Sequence, residues 1–227
     1  ATTGLMDSQY TWLYSPAQIM ALRLTGQLIL LRLFEECESK HIKIVSLNTD
    51  GIESILLEKD KENYFNIIRL IEKEFDLEFE HEQYKFIKYQ SVNDYIALTI
   101  KDKIKVKGQF IYEKVLDGSN EFLIIPLAVK EFFVNKIPIE KTIRNHTNIF
   151  NFCAAKKINR DYSITWNGQP QQQLNRFYAS KKGAYLYKKK NTKNTQENIF
   201  KDSPVQLLNQ VPDKFPTDVS YDFYIRK

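Results

Sequence analysis

Asn48-Thr49-Asp50-Gly51 is the segment of this 227-residue chain whose residue types and spacing best suit chemistry. The runs on either side, Ile44–Leu47 and Ile52–Leu57, are apolar and β-prone. Asn48 and Asp50 tolerate the positive φ of a tight turn, and Gly51 adopts it freely, so the spacing predicts a β-hairpin holding Asp50 near its turn. A carboxylate fixed there is the hard oxygen ligand that Mg²⁺ favours, of which the protein usually supplies only one or two. Asn48 and Glu53 are only outside candidates for supporting ligands, and an exposed strand position is the favoured reading of Glu53. Asn-x-Asp-Gly sequences also serve simply as turns, and the residues alone leave that alternative open.

The hairpin needs elements to hold it. Ser15-Pro16-Ala17-Gln18 reads as a helix start, with Ser15 as N-cap, Pro16 at the first helical position and Gln18 at the capping-box position. Ile19, Leu22, Leu28, Leu31 and Phe34 then repeat at helical spacing, Gly26 would permit close backbone approach, and Lys40 and His41 suit the negative end of the helix dipole. A second helix is expected from Asp60 to Phe75, with Tyr64, Ile67, Ile68, Ile71 and Phe75 on one face. Both are scaffold. Arg23, Gln27 and Arg32 interrupt the longest apolar stretch, Ile19–Phe34, and no secretory signal is read, so a soluble protein without a membrane partner is expected. Cys37 and Cys153 share no zinc-like spacing with His41, His81 or His146, which favours a reducing cytoplasm over a disulfide framework.

Charge is unevenly distributed. Residues 1–100 carry 10 Lys+Arg against 16 Asp+Glu, whereas residues 101–227 carry 23 against 12. An acidic half with a candidate metal site followed by a basic half suits a protein whose second part grips a polyanion; lysines that serve solubility alone are the alternative.

From Leu77 the pattern has period two. Leu77, Phe79 and His81, then Tyr84, Phe86 and Lys88, suggest two strands joined near Glu82-Gln83. Tyr95–Ile100 and Ile104–Ile111 form a second pair about the turn Lys101-Asp102-Lys103. Its return strand sets Lys103, Lys105, Lys107 and Gln109 on one face, the lysines about 7 Å apart, close to the single-strand phosphate repeat. Beyond Gly118 two helices are expected, Leu123–Asn135 and Ile139–Asn151, then a strand at Tyr162–Trp166 and a turn at Asn167-Gly168. Gln173–Lys190 interleaves aromatics with cations (Arg176, Tyr178, Lys181, Lys182 and Lys188 among them) as a nucleic-acid surface does. Asn191–Asn198 is polar and expected to be a mobile loop.

Asn48-Thr49-Asp50-Gly51 resembles the Asp-Thr-Asp-Ser hairpin of the palm domain in family B DNA polymerases, particularly the phage-type members. Asp50 stands at the second aspartate, which that family uses to bind both catalytic metals; Asn48 replaces the first aspartate and Gly51 the serine. Gly4 is similar to the glycine of the family's second motif, with Thr3 at the preceding Tyr position, which implies that the nucleotide-binding Lys and Asn lie before residue 1. Val92–Leu98 and Lys105-Val106-Lys107-Gly108 resemble the two strands that contact primer–template DNA, Tyr95 and Lys107-Gly108 matching while Asn93 and Asp94 replace basic residues.

The resemblance covers residues 1–112 best and implies an α+β fold. An antiparallel palm sheet with the carboxylate hairpin backed by two helices would occupy residues 1–115, and a smaller mixed thumb-like domain residues 116–227. It implies a segment of a DNA-directed DNA polymerase, a nucleotidyltransferase of DNA replication in a phage-infected or prophage-carrying bacterial cytoplasm, working with two Mg²⁺ ions, primer–template DNA, dNTP and the remaining exonuclease and palm parts of its chain. Alone, the segment is expected to be inactive. The rival is a non-catalytic DNA-binding or replication-accessory protein that kept the hairpin, favoured by Asn48 and Asp94. Reverse transcriptases and nucleotidyl cyclases also carry hairpin carboxylates, but Lys107-Gly108 and the Ser15 helix argue against them.

Overall fold

Two runs of helical periodicity bracket the first hairpin, and both are helices in the computed structural model of the chain, which describes residues 2–48, 51–112, 122–192 and 195–227. The chain divides into two compact units, Ala1–His81 and Glu82–Lys227. The expected boundary at residues 115 and 116 lies in 113–121, outside the described residues. All strand pairs in the described residues are antiparallel, and the fold is α+β.

In the first unit, a short helix α1 (Thr2–Asp7) precedes the long α2 (Pro16–Ser39), the hairpin strands β1 (Lys43–Leu47) and β2 (Ile52–Ile55), and α3 (Lys61–Phe75). Leu33 and Cys37 of α2 and Tyr64, Ile67, Ile68 and Ile71 of α3 form the core, with Ile44, Ile52 and Leu56 of the hairpin region packed against it. Thus α2 and α3 back the hairpin as expected. The buried face of α2 differs from the expected one: Ile19, Leu30, Leu33 and Cys37 are buried, whereas Leu22, Leu28 and Leu31 are exposed. This helix is apolar on two sides, and α3 determines which one is covered. No neighbour approaches within 4 Å of where a Gly26 Cβ would lie, and Ser15 makes no side-chain capping bond, its carbonyl instead accepting from the Ile19 N–H at 3.0 Å. By length and composition α2 meets the requirement for a membrane-crossing helix, with a mean hydropathy of 1.3 in its most apolar window, despite Arg23 and Arg32. Those arginines are ion-paired, to Asp7 and Glu36.

The strand expected at Leu77–His81 does not form. Asp76 ends α3 in the left-handed conformation (φ 52°), and the Glu72 carboxylate accepts the Phe79 N–H at 2.8 Å, so a side chain occupies a donor that a strand would need.

The second unit opens with a meander of β3 (Tyr84–Ser91), β4 (Asp94–Thr99) and β5 (Ile104–Lys107). Asp102, at φ 60°, makes the expected turn between β4 and β5. The helices α4 (Ile124–Asn135) and α5 (Ile139–Asn145) follow, broken at Lys136 and Pro138. The second is shorter than expected because the Asn148 side chain accepts from the Phe150 N–H at 3.0 Å and starts a separate 3₁₀ turn, Ile149–Phe152.

Two sheets complete the unit. One has the order β12–β9–β6, from β6 (Cys153–Lys157), β9 (Leu174–Ala184) and β12 (Val205–Leu207). The other has the order β11–β10–β7–β8, from β7 (Tyr162–Trp166), β8 (Gln169–Gln171), β10 (Leu186–Lys190) and β11 (Gln196–Asn198). Asn167 (φ 48°) and Gly168 (φ 73°) form the β7–β8 turn, whose two positive angles match hairpin twist. Ala154, Ile164, Phe177, Leu186 and Val205 form one core cluster. The C-terminal helix α6 (Tyr221–Arg226) closes a second cluster with α4 and α5, where the Tyr224 hydroxyl accepts from the Ala179 N–H (2.8 Å) and donates to the Phe152 carbonyl (2.7 Å). The loop expected at Asn191–Asn198 is in part a strand. Gln196–Asn198 pairs with β10 and is pinned by the Lys188–Glu197 ion pair at 2.9 Å and by Gln196 Nε2 donating to Thr165 Oγ1 at 2.9 Å.

Candidate nucleic-acid interface

The hairpin closes where the residues require it. Asn48 N–H donates to the Gly51 carbonyl at 2.8 Å, and the register Leu47↔Ile52 sets the two strands in line below it. Thr49 and Asp50, the only residues between these two, lie outside the described residues. Glu53 is half-buried on β2 opposite Ser46. Among the described residues no three His, Cys, Asp or Glu side chains gather as a metal site needs. Thr3 and Gly4 lie in α1, both exposed.

The second group of candidates is brought together. Tyr95 of β4 and Lys107 of β5 are direct cross-strand partners, and Tyr89 of β3 pairs with Tyr95 from the other side, their ring centres 5.5 Å apart. Gly108 follows at φ +61°, where a Cβ would lie 2.4 Å from the Asn93 carbonyl and 2.1 Å from Asp94 Oδ1. Only glycine fits. Asp94, which stands where the resemblance expects a basic residue, has a structural use: its carboxylate accepts from Ser91 Oγ at 2.6 Å and from the Gln109 N–H at 2.9 Å. The Ser91 hydrogen bond first, then the Gln109 N–H, holds its pKa below the ordinary aspartate range. Sequence reasoning missed this clip between the start of β4 and the end of β5.

The lysine row is less uniform than period two suggests. Lys103 belongs to the turn and is exposed; Lys107 is exposed on β5; Lys105 is ion-paired with Glu82, its Nζ 5.9 Å from the Tyr84 ring centre. The hydrogen bond between Lys105 and Glu82 raises the lysine pKa and lowers that of the carboxyl, and burial, then Glu82, pushes the Tyr84 hydroxyl up to about 12. Lys105 is thus already committed to a carboxylate.

The Gln173–Lys190 candidates separate. Tyr178 is 2% exposed, its hydroxyl donating to Asp218 Oδ1 at 2.9 Å, so the ring is a core anchor and not a nucleic-acid contact. Arg176 is half-buried with its guanidinium 5.3 Å from the Phe150 ring centre. Lys181 and Lys182 are exposed near the end of β9. Lys188 pairs with Glu197 and lies 5.1 Å from the Tyr162 ring centre, on the side of β10 that also carries the buried Leu186. Strand alternation puts Tyr187 and Lys189 on the opposite side. The signal that separates them, Tyr-x-Tyr-x-Lys from Tyr185, is present in the sequence.

The charge asymmetry follows the structural division: Ala1–His81 carries 8 Lys+Arg against 14 Asp+Glu, and Glu82–Lys227 carries 25 against 14. No protein-family model matches the chain, and no curated protein is significantly similar to it.

Proposed function

We propose that this chain is a segment of a family B DNA-directed DNA polymerase, with Asp50 as a ligand of its catalytic metals and the second unit gripping DNA. The observation that supports the reading best is the Tyr95↔Lys107 pair leading into Gly108, because two separate stretches that resemble the polymerase's DNA-contacting strands lie side by side. Lys107 presents a cation for a backbone phosphate, and the aromatic pair Tyr89–Tyr95 gives a rigid surface beside it. Gly108 and the Asp94 clip fix the end of that strand.

On this reading the two Mg²⁺ ions supply the charge that stabilises an attacking 3′-oxygen and a leaving pyrophosphate. The task of Asp50 is to hold them, and that of α2 and α3 is to keep its hairpin rigid. The resemblance gives this chain neither the family's first-motif aspartate nor its nucleotide-binding Lys and Asn. The test is primer extension by the polypeptide that contains this chain together with those motifs. Template-directed, Mg²⁺-dependent dNTP incorporation is expected. Primer–template binding without incorporation would instead establish the accessory protein, whose supporting observation is the structural use of Asp94 where a phosphate contact is expected.

A further inference from the structure

The outer face of the β11–β10–β7–β8 sheet has a composition that packing does not explain. Along β10 and the residue before it, Tyr185, Tyr187 and Lys189 succeed one another at the two-residue spacing that keeps side chains on one face. The Tyr185 and Tyr187 ring centres are 6.5 Å apart, and Tyr185 is 39% exposed. On either side the register sets polar residues level with them: Thr165 and Asn198 beside Tyr187, Ser163 and Gln196 beside Lys189. Leu186 and Ile164, which alternate with these residues, are buried on the other face. Residues 151–200, which contain this sheet, carry 10 Lys+Arg against 2 Asp+Glu.

We propose that this face is a stacking platform for single-stranded nucleic acid, with bases on Tyr185 and Tyr187 and a backbone phosphate on Lys189. Neighbouring aromatic rings on an exposed sheet face accept unpaired bases of any sequence, and a cation in line with them follows the strand's phosphates. A duplex keeps its bases stacked inside and offers nothing for the rings, so the charge excess and the tyrosine row together select a single strand. The inference rests on the DNA-gripping role of the second unit proposed above, and it replaces the buried Tyr178 with residues that a nucleic acid can reach.

The test measures binding of the 227-residue chain to a fluorescent oligo(dT), to oligo(U) and to a primer–template duplex across a salt series. Tyr185→Ala with Tyr187→Ala is expected to weaken oligo(dT) binding at least tenfold without changing the salt slope, and to leave duplex binding within twofold. Lys189→Gln is expected to reduce the oligo(dT) slope by about 0.7 unit. If the alanine pair alters folding, Tyr185→Leu with Tyr187→Leu keeps the apolar area, and the same loss is expected. Parallel losses on oligo(dT) and oligo(U) support a platform that reads bases without reading the sugar; a loss on oligo(dT) alone supports one selective for DNA. Oligo(dT) binding within twofold of wild type in the tyrosine variants overturns the platform. If duplex binding that depends on Lys107 persists in that case, the polymerase reading stands without it.

Discussion

Replacing Gly108 by Ala should destabilise the second unit, because two costs fall on one methyl group. Gly108 sits at φ +61°, where a side chain costs about 1–2 kcal/mol. The added Cβ would lie 2.1 Å from Asp94 Oδ1, which can swing away only by abandoning the Gln109 N–H, and 2.4 Å from the Asn93 carbonyl, which is backbone. Relieving such overpacking costs about 1–3 kcal/mol more, so Gly108→Ala should lose about 2–5 kcal/mol in all. Gly26→Ala is the control of opposite sign. It lies inside α2 with nothing within 4 Å of the new methyl, and alanine there should stabilise the first unit by about 0.5–1 kcal/mol. Urea unfolding separates the two effects. Trp166, half-buried with its indole N–H on the Val205 carbonyl at 2.9 Å, reports the second unit by fluorescence, since Trp12 is 92% exposed at the start; circular dichroism, to which α2 and α3 contribute most of the helix, gives the first unit's transition as the part of the helical signal that does not follow Trp166. A Gly108→Ala midpoint equal to wild type, or equal losses from both substitutions, would refute the steric argument.

Tyr224→Phe should cost about 2–4 kcal/mol in the same Trp166 transition, since it strands the buried Ala179 N–H and Phe152 carbonyl; an unchanged midpoint would contradict this. In duplex binding, Lys103→Gln with Lys107→Gln should flatten the slope of log K against log salt by up to about 1.8 units, whereas Lys105→Gln, whose amino group already serves Glu82, should change it little. Equal effects at Lys105 and Lys107 would contradict the assignment. Burial lowers the His146 pKa below its ordinary 6.5, which favours the neutral ring in the fold. Its contribution to stability is therefore full above pH 6.5 and is lost as pH falls through the lowered folded value. His146→Gln should remove that part of the pH dependence of unfolding, and an identical profile would refute it.

The local elements were legible because their signals are local. The Asn48–Gly51 turn, the amphipathic α3, the Asp102 turn and the Asn167-Gly168 hairpin each follow from residues within a few positions of one another. What depended on distant partners was not legible. Both sides of α2 are apolar, so periodicity could not select the Leu33–Cys37 side that α3 covers. Leu77–His81 alternates like a strand but has lost the Phe79 donor to Glu72. Gln196–Asn198 is polar and becomes a strand because it pairs with β10, with Gln196 bonded to Thr165 and Glu197 to Lys188. The candidate site divides in the same way. Tyr95, Lys107 and Gly108 could be picked out singly and prove to be neighbours, whereas Tyr178, in a run rich in cations, has its hydroxyl tied inward by Asp218.

The most direct measurement of the central claim is Mg²⁺-dependent dNTP incorporation by the polypeptide that carries this chain, wild type against Asp50→Asn, with primer–template affinity measured on the same samples. The substitution keeps the volume and, on the proposed reading, removes an anionic ligand shared by two metals. Incorporation should fall about a thousandfold or more, a loss of roughly 4 kcal/mol in transition-state stabilisation, while DNA affinity stays within twofold. Incorporation within tenfold of wild type would mean that Asp50 holds no catalytic metal and that Asn48–Gly51 is only a turn.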